Sequence, residues 1–285
     1  MKICGKCHQT FSTQGWNCPN CGWAPEIISD IPAFSPELSE AGEHFPVDLF
    51  PYETGHFWFR SRNRLILWAL QKYYAHHDTI CEIGCGNGFV LSGIQKAYPE
   101  ARLTGTEIFA QGLHQATRRV PGAELLQMDA RHLPYRDEFD VIGIFDVLEH
   151  IDEDELVLSQ LFRAVKPGGG ILVTVPQHSW LWSSRDERAS HKRRYSREEL
   201  TAKVKAAGFE TRRVTSFVSV LLPLMILSRK KAATEDDNPL REFQIPRVVN
   251  YALEFMLGME LGMIRAGVPM PWGGSLLLAG RKPIL

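Results

Sequence analysis

The feature that most constrains the fold is an alternation of short apolar runs and helix-like stretches that begins near residue 78. The predicted strands are Thr79–Ile83, Arg102–Glu107, Glu124–Met128, Asp140–Phe145 and Gly170–Val175. The predicted helices between them are Phe89–Ala97, Ala110–Val120 and Asp154–Val165, the last ended by Lys166-Pro167-Gly168-Gly169. Because helices connect strands that are apolar almost throughout, the pattern predicts an α/β fold with a parallel sheet covered on both faces.

A glycine-rich turn, Gly84-Cys85-Gly86-Asn87-Gly88, follows the first predicted strand and precedes the first helix. In parallel sheets, ligands bind beyond the carboxyl ends of the strands. Glycines at this point allow a tight turn and a close approach of a ligand to the backbone. The spacing lacks the later glycine of a dinucleotide fingerprint and the Lys-Ser/Thr of a phosphate loop, so the turn alone does not identify the ligand.

Acidic residues stand at the carboxyl ends of the first four predicted strands, namely Glu82, Glu107, Asp129 and Asp146. Any one of them is compatible with a solvated strand end, but four around a glycine turn indicate a binding site. A carboxylate at the end of the second strand is placed to accept hydrogen bonds from ribose hydroxyls. Four carboxylates favour a cationic ligand over a phosphate.

These motifs together resemble those of class I S-adenosylmethionine-dependent methyltransferases, of the type 11 and 12 kind. The resemblance rests on EIGCGNG (82–88), TE (106–107), MDA (128–130), FDVIGIFDVLEHI (139–151) and LFRAVKPGGGILVTVP (161–176). It covers roughly residues 55–215 and again 275–283. It implies a seven-stranded Rossmann-like sheet whose last strand is antiparallel, with Glu210–Ser216 and Ser275–Gly280 as strands six and seven.

The resemblance also implies a role for each motif in binding S-adenosylmethionine. The residues of the turn, Gly84, Cys85, Gly86 and Gly88, would underlie the methionine part of the cofactor, and Glu82 would lie near its ammonium group. Glu107 would hold the ribose. Asp129 and Ala130 would contact the adenine, and Asp146 would sit near the methionine end.

Four of the six cysteines lie in the first 21 residues, as Cys4-Gly-Lys-Cys7 and Cys18-Pro-Asn-Cys21. Two C-x2-C hooks bring four thiolates to one centre, and four thiolates complete a tetrahedral structural zinc site. The alternative is a pair of redox dithiols. The segment is too short to fold on its own core, so zinc would supply its stability. It resembles a zinc ribbon.

The whole chain of 285 residues is predicted to comprise a zinc ribbon (1–24), a proline-rich linker (25–54) and the methyltransferase domain (55–285). The 32 basic and 33 acidic residues give a net charge of −1, which excludes a strong overall field for nucleic acid or membranes. No secretory signal opens the sequence, and the longest apolar run, 217–227, is about half of the roughly 20 residues that span a bilayer. A cytoplasmic protein, with peripheral membrane contact as an option, is expected.

The acceptor site is predicted from what surrounds the sheet end. The Asn-Pro-Pro-Tyr-like motif of amide and amine methyltransferases is absent after strand four, where Glu149 and His150 stand instead. The loop His191-Lys-Arg-Arg-Tyr195 resembles an H-x-x-R-Y element of small-molecule methyltransferases. His150, His191 and Tyr195 are therefore the predicted catalytic residues. Before the first strand, aromatic residues beside Arg60, Arg62 and Arg64 predict either a lid for an anionic substrate or a helix that anchors the core.

A metal-dependent alternative arises from the same residues. Glu149, His150 and His191, with Asp146 at the first acidic position, resemble the ligands of a divalent ion in small-RNA 3′-terminal 2′-O-methyltransferases. Oxygen and imidazole ligands suit magnesium or manganese. The favoured interpretation is that residues 148–150 form the ordinary start of a helix.

Residues 217–274 form an unusually long predicted helical insertion before the last strand. Its apolar and methionine-rich helices, with Arg229-Lys230-Lys231 between them, predict either contact with a membrane or a lipid chain, or a cover for the sheet or a homo-oligomer interface. The leading hypothesis is a methyltransferase that acts on a small-molecule or lipid-linked acceptor, most readily at oxygen. The alternatives are an RNA methyltransferase, in which the ribbon precedes the enzyme, and a non-catalytic ribbon-bearing adaptor.

Overall fold

A computed structural model describes residues 1–13, 15–39, 50–232 and 243–284, without the side chains of residues 230–232. Residues 40–49 of the predicted linker, residues 233–242 of the predicted insertion, and the side chains of Lys230 and Lys231 lie outside this description. The strands are β1 (Lys2–Ile3), β2 (Thr10–Phe11), β3 (Glu26–Ile28), β4 (Ile31–Ala33), β5 (Thr79–Ile83), β6 (Arg102–Glu107), β7 (Glu124–Gln127), β8 (Phe139–Phe145), β9 (Val165–Pro176), β10 (Glu210–Phe217) and β11 (Ser275–Arg281). The helices are α1 (Pro36–Ser39), α2 (Phe50–Glu53), α3 (Phe57–Tyr73), α4 (Phe89–Ala97), α5 (Ala110–Arg119), α6 (Asp154–Ala164), α7 (Ser184–Arg188), α8 (Arg197–Ala206), α9 (Leu222–Ala232) and α10 (Arg247–Arg265).

One large sheet organises the chain, with the strand order β10-β11-β9-β8-β5-β6-β7-β4-β3. The strands β9, β8, β5, β6 and β7 are mutually parallel, and β11 is antiparallel to both β9 and β10. Two apolar cores cover its two faces. This arrangement confirms the predicted α/β fold with an antiparallel last strand.

Two features of the sheet differ from the sequence-based expectation. The segment predicted as a linker contains β3 and β4, and β4 extends the sheet by pairing with β7 at Ala33 and Gln127. In addition, β9 begins at Val165, before the Pro-Gly run that was expected to end the helix. Val165 pairs with Phe139 and the pairing then resumes between Gly170 and Val141, so residues 166–169 form a bulge within the strand.

The ribbon (residues 1–24) packs tightly against the large sheet. The backbone N–H of Ile3 donates to the Pro134 carbonyl at 2.8 Å, and Trp16 Nε1 donates to a Glu124 carboxylate oxygen at 3.0 Å. The Trp16 ring meets Tyr135 edge-on at 5.4 Å between centroids. These partners lie at the amino ends of β7 and β8. The ribbon therefore docks at the end of the sheet that holds the amino termini of its parallel strands, opposite to the glycine turn.

The insertion packs its second helix against α3. Arg60 and Arg64 of α3 both form ion pairs with Glu254 of α10. The Asn250 side chain accepts from the backbone N–H of Phe57 at 2.8 Å. Among the described residues, no helix combines the length and apolar character needed to cross a bilayer.

Candidate functional site

The glycine turn after β5 has a left-handed backbone at each of its three glycines, with φ of 68° at Gly84, 53° at Gly86 and 77° at Gly88. They differ in what a side chain would meet. A Cβ on Gly84 would lie 2.3 Å from Val147 Cγ2, whereas a Cβ on Gly86 would meet no atom within 4 Å among the described residues. Gly84 is thus required by packing, and Gly86 faces open space at the carboxyl edge of the sheet.

Glu107, at the end of β6, is tied directly to this turn. One carboxylate oxygen accepts from the Gly86 backbone N–H at 2.9 Å, and the other accepts from the Ile108 N–H at 2.8 Å. Burial raises its pKa, and these backbone donors partly offset the rise. The contacts fix the carboxylate beside the open space above Gly86.

Glu82 and Asp146 form a second acidic pair at the ends of β5 and β8, together with Arg62 from α3. Burial raises the pKa of Glu82 to about 8, although the nearby positive charge of Arg62 favours its ionised form. Arg62 Nη1 lies 3.2 Å from Asp146 Oδ2, and Thr174 Oγ1 donates to the other Asp146 oxygen at 3.1 Å. Asp146 itself has a left-handed backbone, with φ of 57°. A cation bound beside Glu82 would favour the ionised form of its carboxyl group.

Asp129 follows β7 and is held by Arg131, which sequence reasoning missed. The Arg131 guanidinium contacts both carboxylate oxygens, with Nε to Oδ1 at 3.1 Å and Nη2 to Oδ2 at 2.8 Å. Burial alone would raise the pKa of Asp129, but the hydrogen bonds and charge of Arg131 lower it below its usual value. The neighbouring Ala130 is buried. A partner two residues along a loop leaves no spacing signal in the sequence.

The structure brings together two of the three predicted catalytic residues. The rings of His150 and His191 lie 4.8 Å apart between centroids, and Glu149 is fully buried beside them. Burial and the proximity of His191 lower the pKa of His150 to about 4. Tyr195 is different, because it is fully buried and its hydroxyl donates to Asp154 at 2.7 Å. The hydroxyl of Tyr195 is thus engaged within the protein, and its catalytic role stays a prediction.

Asp186 at the start of α7 is the centre of a buried network that was not expected from the sequence. It accepts hydrogen bonds from His191 Nδ1 at 3.0 Å, Arg194 Nε at 2.7 Å and Arg229 Nη1 at 2.8 Å. Despite its burial, these donors and charges lower its pKa. The network links His191 to α9 of the insertion through Arg229.

An open cleft lies between α3 and α10, with Arg62 in its lining. Its walls are mostly apolar, and Arg62 and Glu260 are the charged residues in its lining. The apolar lining residues are Trp58, Leu65, Phe217, Val218, Leu257, Leu261 and Ile264. Because Arg62 also pairs with Asp146, the cleft leads to the ends of β5 and β8.

The four cysteines of the ribbon converge. Their sulfur atoms all lie within 4.8 Å of one another, with Cys4 to Cys21 at 3.6 Å and Cys7 to Cys18 at 3.7 Å. Zinc–thiolate bonds of about 2.3 Å correspond to sulfur–sulfur separations of about 3.8 Å in a tetrahedron. Cys81 and Cys85 lie apart from this group, buried in β5 and the glycine turn, where burial raises both thiol pKa values.

Comparison with known families matches residues 81–173 to the family described as "Methyltransferase domain". Residues 81–173 are thus a methyltransferase domain, and the chain is similar to S-adenosylmethionine-dependent methyltransferases. The match begins within β5 and ends within β9, so it includes the glycine turn and the strand ends that carry Glu107, Asp129 and Asp146.

Two curated relatives and one solved structure resemble the chain. A Mycolicibacterium smegmatis protein named "Probable S-adenosylmethionine-dependent methyltransferase" is 30% identical over 54% of the chain and 60% of its own length. A fatty-acid O-methyltransferase from the same species is 30% identical over 33% of the chain and 36% of its own length. The Haemonchus contortus phosphoethanolamine N-methyltransferase 2 structure has a TM-score of 0.57 at 19% identity, covering 87% of the chain and 59% of that protein. The chain thus spans about 60% or less of the length of each of these relatives.

Proposed function

We propose that the protein is an S-adenosylmethionine-dependent methyltransferase acting on a small-molecule or lipid-linked acceptor, with methylation at oxygen. The observation that carries the proposal is the open space at Gly86, on the side of the sheet where four neighbouring strands are each ended or followed by a carboxylate. Glu82 and Asp146 suit the cationic methionine end of the cofactor. Glu107 suits the ribose hydroxyls, and Asp129 with Ala130 suits the adenine.

The chain's own task in such a reaction is alignment. When bound, S-adenosylmethionine supplies a methyl group that its sulfonium has already activated. Glu107 and the Gly86 N–H hold the geometry of the turn, and Thr174 holds the Asp146 carboxylate. Holding donor and acceptor in line accounts for a large part of rate enhancement in such transfers. His150 and His191 are near enough to each other to serve one acceptor group, with His191 oriented by Asp186.

The cleft between α3 and α10 supports an acceptor that is largely apolar. Its lining combines apolar side chains with Arg62, which would meet a polar or anionic group of the acceptor at the inner end. The similarity to a fatty-acid O-methyltransferase agrees with an apolar acceptor and an oxygen target. The RNA alternative loses support from the basic residues, because Arg119, Arg193 and Arg212 are each paired with a carboxylate.

A labelled-cofactor experiment tests this assignment. The purified protein is incubated with trideuteromethyl S-adenosylmethionine and separate lipid, aqueous-metabolite and RNA extracts, and products are examined by mass spectrometry. Label is expected in the lipid or metabolite fraction, in a product that carries the methyl group on oxygen as an ether or an ester. Label confined to nuclease-sensitive RNA would contradict the proposed acceptor class, and label in no fraction would favour the non-catalytic adaptor.

We further propose that the cysteine cluster holds one structural zinc ion. The support is the tetrahedral sulfur spacing and the backbone N–H groups of Lys6 and Cys7, both 3.4 Å from Cys4 Sγ, which stabilise a thiolate there. All four thiolates are used, which leaves no open position for substrate. Since the ribbon docks at the edge opposite to Gly86, zinc would act on stability and on partners, outside the chemistry.

The outer face of α10 supports peripheral contact of a cytoplasmic protein with a membrane. Its exposed large residues Val248, Tyr251, Phe255 and Met259 are all apolar and recur at helical spacing. The exposed Arg247 and Arg265 stand at the two ends of the helix, where they would meet anionic headgroups. The competing role for this face is a homo-oligomer interface.

Replacing Phe255 by aspartate is expected to abolish binding to anionic liposomes, because it puts a charge in the middle of the apolar face. The measurement is flotation of the full chain with phosphatidylserine-containing vesicles. The matched control is Leu156→Asp, which changes an exposed apolar residue on α6 and should float as the wild type does. Equal flotation of the wild type and Phe255→Asp would contradict membrane contact through this face. A wild-type dimer that Phe255→Asp converts to a monomer would instead identify the face as a homo-oligomer interface.

A further inference from the structure

We propose that Glu149, His150 and His191 form a binding site for a first-row divalent transition-metal ion at the acceptor side of the cofactor site. One ligand atom from each residue lies within 4.8 Å of the others. Ligand atoms around such an ion are about 3–4 Å apart, so small rotations of the side chains would close them on one ion. Metal binding is independent of the proposed activity, but the role of the ion in catalysis rests on it.

The first reason is the state of Glu149. It follows β8 in a short 3-10 turn, Leu148–His150, and its side chain is fully buried. Neither of its carboxylate oxygens has a hydrogen-bond partner among the described residues. A buried carboxylate without partners is costly, and its acceptor capacity is normally used. A cation between Glu149 and the two histidines would satisfy both oxygens.

The second reason is that both imidazoles are oriented by groups outside the cluster. His191 Nδ1 contacts Asp186 Oδ1 at 3.0 Å, which directs its Nε2 as the free nitrogen. The backbone of Ala189 and Ser190 lies close to the His150 ring. Metal-binding histidines characteristically use one ring nitrogen for a carboxylate or carbonyl and present the other to the ion. Here Asp186 and the 189–190 backbone have that supporting part.

The ligand set determines the class of ion. Magnesium and calcium prefer all-oxygen sites, whereas two imidazoles and one carboxylate suit Mn²⁺, Fe²⁺, Co²⁺ or Zn²⁺. Three protein ligands leave coordination positions open, as in catalytic metal sites. The four thiolates of the ribbon form a closed set, so a zinc-loaded ribbon would not compete for the second ion.

The position of the site gives the ion a use. Glu149 lies three residues after Asp146, and its buried carboxyl experiences the charges of Asp146 and Arg62. An acceptor hydroxyl bound to the ion would lose its proton to solvent water more readily. Its oxygen would then form a bond to the methyl carbon as the sulfur–carbon bond breaks, and the sulfonium becomes a neutral thioether.

The test uses the full-length, zinc-loaded protein and measures its binding of Mn²⁺ from the loss of the free-ion electron paramagnetic resonance signal. One Mn²⁺ per chain is expected, with an affinity at least about tenfold lower in both His191→Ala and Glu149→Gln. The partly exposed His191 provides a variant that keeps the core intact if Glu149→Gln does not fold. His178→Ala, which changes a histidine outside the cluster, should bind as the wild type does. Mg²⁺ at the same concentration should not displace Mn²⁺.

Absence of Mn²⁺ and Co²⁺ binding by the wild type, or equal binding by all three variants, would overturn the site. S-adenosylhomocysteine affinity is measured on the same samples and should be within about twofold of the wild type in His191→Ala. A wild-type protein that bound Mn²⁺ but did not bind S-adenosylhomocysteine would contradict the proposed function and would still support the metal site.

Discussion

Replacing Cys18 by serine, or removing zinc with a chelator, is expected to destabilise the whole chain by at least about 3 kcal/mol. The reason is that the ribbon shares a core with the sheet. Cys4, Cys18, Phe11 and Trp16 are buried in the same cluster as residues of β8 and β9. Without the ion the ribbon would unfold and expose that face. Urea unfolding followed by circular dichroism, alongside the zinc content, measures the effect.

The matched control is Cys81→Ala, which removes a buried thiol in β5 that is outside the zinc cluster. It should keep one zinc per chain and lose only the stability of a small core truncation, about 1 kcal/mol. A Cys18→Ser protein that lost zinc but unfolded at the wild-type urea concentration would mean that the ribbon is an independent appendage.

Replacing Gly86 by arginine is expected to reduce S-adenosylmethionine affinity by more than about 100-fold while costing only about 1 kcal/mol of stability. A Cβ at this position meets no described atom within 4 Å, so the side chain would fill the space proposed for the cofactor. Gly84→Ala is expected to lower mainly the stability of the fold and to affect cofactor affinity less. Its Cβ would clash with Val147 at 2.3 Å, and overpacking of this kind costs about 1–3 kcal/mol.

Gly122→Arg is the control for the backbone effect. Gly122 also has a left-handed conformation, with φ of 85°, and open space around its Cβ, but it lies in the turn before the amino end of β7. It should lose a similar amount of stability and keep cofactor affinity. If Gly86→Arg bound the cofactor like the wild type in a thermal-shift titration, the glycine turn would not be its cradle.

Local patterns in the sequence predicted the central strands and helices closely. The bounds of β5, β6 and α4 agree with prediction. The glycine turn at 84–88 marks both the end of β5 and the start of α4. The bulge at 166–169 was not predicted, since Pro-Gly runs end helices more often than they interrupt strands. The strands β3 and β4 were missed because each is three residues long and β4 contains a proline.

The candidate site was predictable where residues follow strand ends, and unpredictable where distant elements meet. Glu107 follows β6 by topology, and the structure ties it to the Gly86 backbone. The roles of the three arginines in α3 could not be separated by sequence, because only packing against α10 shows that Arg60 and Arg64 pair with Glu254 while Arg62 turns to Asp146. The domain boundaries and the catalytic roles of individual residues stay predictions.

The most direct measurement of the central claim is calorimetric titration of the zinc-loaded, full-length protein with S-adenosylmethionine and S-adenosylhomocysteine. One ligand should bind per chain in each titration, and neither should bind to Gly86→Arg. Binding by Gly122→Arg should match that of the wild type. Absence of binding of both compounds to a folded wild-type protein would contradict the assignment of the carboxyl edge of the sheet as the cofactor site.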